Sequence, residues 1–438
     1  MGPGSHTRAR RLRGYRYRPV YRAQHRCKAG GREHISPPPA RLRGGGSRED
    51  GRMTAGDSVE LSIDRLVAGG DGLGFIDGIA CFVALAAPGD RLLVRIRETR
   101  RDYCKADIVR ILEPASSRVV PPCPFYGACG GCTLMHMDYK SQLSGKRRIV
   151  ADAFRRTGAL PDAEEPPITP LAPWGYRNRA QFHFGPDGAL GYIRRSSNEV
   201  LPIASCPILV EPLASWLTDN AGTKAFRLLG KALKGSSRFI AFAPGGDDEN
   251  AYIQGKDGEL SLELAGKAFS FHVEGFFQSN LSLVPALIDE ACRGIEGARA
   301  ADLYCGVGLF GAFLRERFGA LVCVEQDARA LGYACRNVGK SADYAALSME
   351  AWTLSAQARA SFDYVLVDPP RSGLAPAVRA WLLSSRPPCI GYVSCDPVSL
   401  ARDSGELVRG GYRLERLSLY DFYPQTAHVE SYARFILE

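Results

Sequence analysis

No stretch of about 18 or more apolar residues occurs anywhere in the 438 residues, so no membrane-spanning helix is expected. The basic opening has no apolar run behind it, so it is not a secretory signal. Without export, thirteen cysteines, an odd number, belong in a reducing compartment. They are expected there as thiols, metal ligands or nucleophiles rather than as disulfides, and the cytoplasm is the expected location. Acid is scarce in residues 1–52: three acidic residues stand against 14 Arg and Lys, a net of +11. The whole chain is +9, which leaves about −2 for residues 53–438. The basic balance is thus a property of the leader and not of the body. With Arg interleaved by Tyr, then Pro-Pro-Pro and Gly-Gly-Gly, residues 1–52 read as a disordered basic leader. It reads as a passenger rather than an RNA-binding arm, with Met53 the natural first residue.

What is present is ample core material, 45% hydrophobic, in a length that suits two to four domains. In residues 53–115, Val59, Leu61 and Ile63 alternate with polar residues, and so do Leu92, Val94 and Ile96. Gly69-Gly70-Asp71-Gly72 and Pro88-Gly89-Asp90 mark turns. Five short strands in this space predict an OB-like β barrel, a shape often used on nucleic acid.

Residues 116–275 form an α+β central domain that opens with Cys123, Cys129 and Cys132 in a C-x5-C-x2-C pattern. Closed metal sites take four ligands, and Cys206 is the only cysteine between Cys132 and Cys292. Three clustered cysteines and a distant fourth favour a [4Fe–4S] cluster over zinc, with His136 a rival fourth ligand. Lys140, Lys146, Arg147, Arg148, Arg155 and Arg156 mark a basic helix. Residues 176–184, Tyr-Arg-Asn-Arg-Ala-Gln-Phe-His-Phe, alternate basic and aromatic side chains, a texture that stacks bases and holds phosphates.

From residue 276 the pattern becomes strand–helix alternation, predicting a C-terminal α/β Rossmann-like domain over 276–438. Gly306-x-Gly308-x-x-Gly311 follows a buried strand, and Glu325 lies about 20 residues on, where an acid takes a ribose hydroxyl. That signal alone fits NAD as well as S-adenosylmethionine. Asp368-Pro369-Pro370-Arg371, after the fourth strand, favours a methyl transferase over an NAD oxidoreductase. The aromatic that amino-group methyltransferases place after the prolines is missing, and so is the Pro-Cys of the cytosine-C5 enzymes. Instead Cys395 ends the next apolar run, where open α/β sheets place their chemistry. C5 of uracil is a poor nucleophile. Adding a thiolate at C6 turns it into an enolate carbon, and a base must then remove the C5 proton. Cys395 fits the first role and Glu430 the second, with His428 a rival base.

Together these residues resemble the RNA (uracil-C5)-methyltransferase family. The likeness is closest to the 23S rRNA enzymes with a TRAM domain and a [4Fe–4S] cluster, and it covers about 56–438. It rests on the cysteine pattern with Cys206, on Asp368-Pro-Pro-Arg371, on Ser394-Cys395-Asp396-Pro397 and on Gln425-Thr-x-His-Val-Glu430. The resemblance implies a TRAM barrel, a class I methyltransferase domain and Cys395 and Glu430 as catalytic residues. It further implies Gln278, Tyr304, Glu325 and Asp368 as S-adenosylmethionine contacts. It departs at Leu309, where members often carry Asn. The implied substrate is RNA, rRNA ahead of tRNA. A non-catalytic RNA-binding protein is a further alternative, disfavoured by the presence of both Cys395 and Glu430. Nothing points to an obligate protein partner.

Overall fold

A computed structural model describes residues 54–159 and 165–438. The leader expected to be disordered lies outside the described residues. Met53–Glu438 pack as one unit.

The first sheet has six strands in the order Ser58–Ser62, Arg91–Thr99, Tyr103–Glu113, Ile79–Val83, Gly72–Ile76, Arg65–Leu66. Its two edge strands are separated by only two residues, so one bent stretch carries both ends of the sheet. The alternation read from the sequence sets its inside: Leu92, Val94 and Ile96 are buried, while Arg95 and Arg97 face out. Asp90, in the turn, is buried and accepts from the amides of Ala87 and Ala115 and from two nitrogens of Arg118. Burial opposes its ionisation, but these donors hold the carboxyl below its ordinary value.

The helix Tyr139–Thr157 starts at Asp138, whose side chain accepts from the Ser141 amide, and stops at Gly158 in the left-handed region (φ 72°). A five-stranded sheet follows, ordered Val200–Pro202, Leu190–Ile193, Arg179–Phe184, Arg238–Phe242, Tyr252–Ile253. Here the sequence reading needs correction. Phe182 and Phe184 point into the core and pack on Phe239, and Phe182 also stacks on Tyr192. Tyr176 is buried as well. None of the three is free to stack a base. Only Arg179, Gln181 and His183 alternate to the other face of the strand.

The large sheet has eight strands, ordered Asp343–Ala345, Phe318–Val324, Gly297–Leu303, Tyr364–Val367, Cys389–Ser394, Glu430–Leu437, Tyr412–Tyr420, Ile168–Thr169. The first five run parallel, and Glu430–Leu437 is antiparallel to both of its neighbours. Residues 364–367 are all buried, as expected of a parallel strand covered on both faces. At Gly391 an added Cβ would lie 1.9 Å from the Tyr364 hydroxyl, so only hydrogen fits. The strand Ile168–Thr169 comes from the central segment, and the helix Tyr139–Thr157 packs on the helix Pro397–Arg409. The central segment is therefore stitched into the C-terminal sheet rather than tethered beside it. Among the described residues no helix is long and apolar enough to cross a membrane.

Candidate active site

Parallel strands aim their carboxyl ends at one edge of the sheet, and the residues singled out from the sequence follow those ends. Tyr304 comes directly after Gly297–Leu303, Glu325 after Phe318–Val324, Asp368 after Tyr364–Val367 and Cys395 after Cys389–Ser394. Glu430 enters from the opposite direction as the first residue of its strand. The register pairs Ser394 with Ser431, which brings Cys395 beside Glu430. All five, with Gln278, line one cleft of about 900 Å³.

The local backbone is shaped for this. Tyr304 holds a positive φ of 63°, uncommon for a bulky residue and a mark of functional turns. Gly308 (φ 82°) presses on the helix Ala328–Val338, where an added Cβ would meet Val338 at 2.6 Å. Glu325 accepts from the amides of Gly306 and Asp327, which fixes its carboxylate at the rim of the glycine loop. Leu309 lines the cleft with a buried apolar side chain, so no polar side-chain contact is made there. Asp396 caps the helix Pro397–Arg409 through the Ser399 amide, placing Cys395 one residue before the cap.

The charges are lopsided. Burial pushes the Cys395 thiol up to about 11, with Glu430 and Asp368 adding to the rise and Arg371 opposing it. Burial pushes Asp368 up to about 7. Burial and Asp368 raise Glu430 well above the ordinary carboxyl range, against Arg371. Burial lowers His428 to about 4, and nearby Arg371, Lys146 and Arg177 lower it further. His428 is thus the weaker base of the two. Arg371 is the cation that opposes the rise of both Cys395 and Glu430 at this end of the cleft.

The clustered Cys123, Cys129 and Cys132 and the distant Cys206 line a second cavity of about 650 Å³. All four are free thiols. Burial and mutual repulsion push Cys132 up to about 12 and Cys206 to about 11, while Arg177 opposes the rise. Among the described residues no three His, Cys, Asp or Glu side chains are grouped to hold a metal ion. His136 is not in this cavity. Its ring bonds the Tyr126 hydroxyl at 2.6 Å, and it sits near Arg118 and Asp90. Gly130 is needed for close approach, since its amide donates to the Ile193 carbonyl, 3.0 Å from where a Cβ would sit.

Several cleft residues were not singled out from the sequence as site residues, among them Tyr423, Arg402 and Phe276, the last two-thirds exposed. Only their spatial convergence identifies them. Lys146 was read as part of a basic face and is instead fully buried against Asp421. Helical spacing carried the signal, because Gln142 and Lys146 share a stripe with Ile149, Val150 and Phe154.

A family model described as tRNA (uracil-5-)-methyltransferase matches residues 253–436. A 23S rRNA (uracil(1939)-C(5))-methyltransferase RlmD of Shewanella amazonensis is 31% identical, covering 86% of this chain and 96% of its own. An uncharacterized RNA methyltransferase of Treponema denticola is 32% identical over 82% of this chain and 94% of its own. Among solved structures, the tRNA (uracil-54, C5)-methyltransferase of Pyrococcus abyssi, in complex with S-adenosyl-L-homocysteine, matches with a TM-score of 0.63 and 23% identity. That match covers 86% of this chain and 99% of the Pyrococcus chain, and it shows a shared fold.

Proposed function

The chain belongs to the RNA (uracil-C5)-methyltransferase family, and from that premise we propose that it methylates C5 of a uridine in 23S rRNA through a covalent Cys395–C6 adduct. The observation that carries this reading is the convergence of Cys395, Glu430 and Asp368 in one cleft with Gln278, Tyr304 and Glu325. The choice of rRNA follows the relatives above 30% identity that are named as rRNA enzymes.

S-adenosylmethionine, when bound, supplies an electrophilic methyl on a sulfonium. The cleft suits it, because the carboxyl groups of Glu325, Glu350, Asp368 and Glu430 gather there. Gln278, Tyr304, Glu325 and Asp368 would hold it, Glu325 at the ribose. The Cys395 thiolate adds to C6 and makes C5 nucleophilic. After C5 has gained its methyl, the Glu430 carboxylate takes the C5 proton. The C–H electron pair re-forms the C5–C6 double bond, and the Cys395 thiolate leaves. Arg371, the nearby cation, favours the anionic forms of both Cys395 and Glu430.

Cys123, Cys129, Cys132 and Cys206 would hold a [4Fe–4S] cluster. The four thiols gather on one cavity, and soft sulfur donors in that number are the ligand set such a cluster takes. A cluster, with one iron for each thiolate, spans wider spacing than one zinc ion. Its role here would be to cross-link segments distant in sequence. The six-stranded N-terminal sheet would be the TRAM barrel, contacting RNA in the cytoplasm.

Mapping 5-methyluridine in 23S rRNA and tRNA from cells with and without the gene tests the substrate. Loss of one site in 23S rRNA is expected. Loss confined to tRNA would move the enzyme to the tRNA branch of the family.

A further inference from the structure

Residues 421–429 join the strands Tyr412–Tyr420 and Glu430–Leu437 and carry Tyr423 and His428 into the cleft, with Glu430 next. Such an irregular stretch satisfies only part of its own backbone, so the remaining polar groups must find partners elsewhere. They find them on the central segment. The amides of Thr133 and Leu134 both donate to the Gln425 carbonyl, at 3.0 and 2.9 Å. The Ala427 amide donates to the Thr133 hydroxyl at 3.0 Å. Lys146 donates to the Tyr423 carbonyl at 3.0 Å and also pairs with Asp421.

Gln142 makes a two-way link. Its Oε1 accepts the Gln425 amide at 3.0 Å, and its Nε2 donates to Gln425 Oε1 at 3.0 Å. The same Nε2 donates to the Met137 carbonyl at 2.9 Å, which fixes which way the amide points. Gln425 needs such support, because its φ of 69° lies in the left-handed region that a residue with a Cβ enters only when its surroundings demand it. Gln142 and Lys146 sit one helical turn apart, are buried, and do not line the cleft. Cys395 depends on none of these contacts, being set by its own strand and by the Asp396 cap.

We propose that Gln142 and Lys146 are positioning residues for the proton-abstraction step, acting on Glu430 through Gln425, Asp421 and Tyr423. The proposal rests on the reading of Glu430 as the base. It adds that the base is aimed from the central segment, whereas the nucleophile is aimed from within the C-terminal sheet. The two halves of the reaction thus have separate supports. Loosening this latch misplaces the carboxylate relative to the C5 proton and leaves thiolate addition and methylation as they were. The methylated adduct then persists, because the C5–H bond breaks more slowly while the C6–S bond waits on it.

The test is single-turnover kinetics of Gln142→Leu and Lys146→Met on RNA with hydrogen or deuterium at C5 of the target uridine. Adduct formation should stay within about twofold of the parent, and product release should slow by about tenfold or more. A deuterium isotope effect on release should emerge or grow. Should Gln142→Leu fail to fold, Thr133→Val, which removes only the acceptor for the Ala427 amide, carries the same expectation in milder form. Equal slowing of addition and release with no isotope effect would overturn the proposal. Glu430→Gln, run alongside, separates the two levels. If it does not block release, the base assignment itself fails. If it blocks release while the Gln142 and Thr133 variants show no isotope effect, the base stands and the latch falls.

Discussion

Ser394 and Ser431 face each other across an antiparallel pair, and one step beyond them Cys395 and Glu430 stand together where that pairing ends. Thiol and carboxyl are neighbours in the sheet and successive actors in the proposed reaction. Glu430 strengthens the thiol's hold on its proton, after burial.

Removing either residue should abolish turnover at a different step. Cys395→Ala should form no covalent species with RNA. Glu430→Gln should accumulate a methylated RNA–protein adduct that survives denaturation. A denaturing gel with labelled methyl donor reads both. A shifted band for Cys395→Ala and none for Glu430→Gln would reverse the assignments.

Acid should suppress the reaction. Cys395 is pushed up to about 11 and Glu430 is raised, so both reactive anions become more abundant as pH rises. Single-turnover rates at saturating RNA and donor should increase from about pH 6 to about pH 9. A flat profile would show that bound ligands, rather than bulk pH, set both ionisations.

Asp368 links the same electrostatics to stability. Its folded value of about 7 lies above its unfolded one, so the folded chain binds this proton more tightly. The contribution of Asp368 to the stability of the ligand-free protein should therefore be fully present below about pH 4 and be lost as pH rises through about 7. Asp368→Asn should be more stable than the parent by about 2 kcal/mol near pH 8 and equal to it near pH 4. Urea melts at the two values measure this, and the variant should at the same time bind the methyl donor more weakly.

Anaerobically purified protein should be brown and carry about four iron and four sulfide per chain. Cys206→Ser should lose that colour and fold poorly, because Cys206 joins the other three thiols from a distant segment. One tight zinc and no iron would overturn the cluster. Beside the six-stranded sheet, Arg118→Ala should cost about 3–5 kcal/mol by removing the charge partner of the buried Asp90 carboxylate. Thermal melts would register it.

The ends of the parallel strands were legible because a buried apolar run followed by a polar residue has few other uses. Glu325, Asp368 and Cys395 each fit that description. Phe182 and Phe184 misled because strand alternation shows that two faces differ, not which one meets solvent. Lys146 misled because a charged residue reads as exposed unless its helical neighbours are weighed. The pairing of Ser394 with Ser431 was invisible, since the residues between them form a helix and a strand whose placement sequence periodicity does not fix. The two-residue strand Ile168–Thr169 is too short to carry any period.

The strand Glu430–Leu437 lies between two strands that precede it in the chain, Cys389–Ser394 and Tyr412–Tyr420. During synthesis those two emerge first, with a gap between them that neither can close. The proposed nucleophile is thus made before the proposed base. A nascent chain short of residue 430 would carry Cys395 without the carboxyl group assigned to free it, and the site is complete only when this last strand inserts.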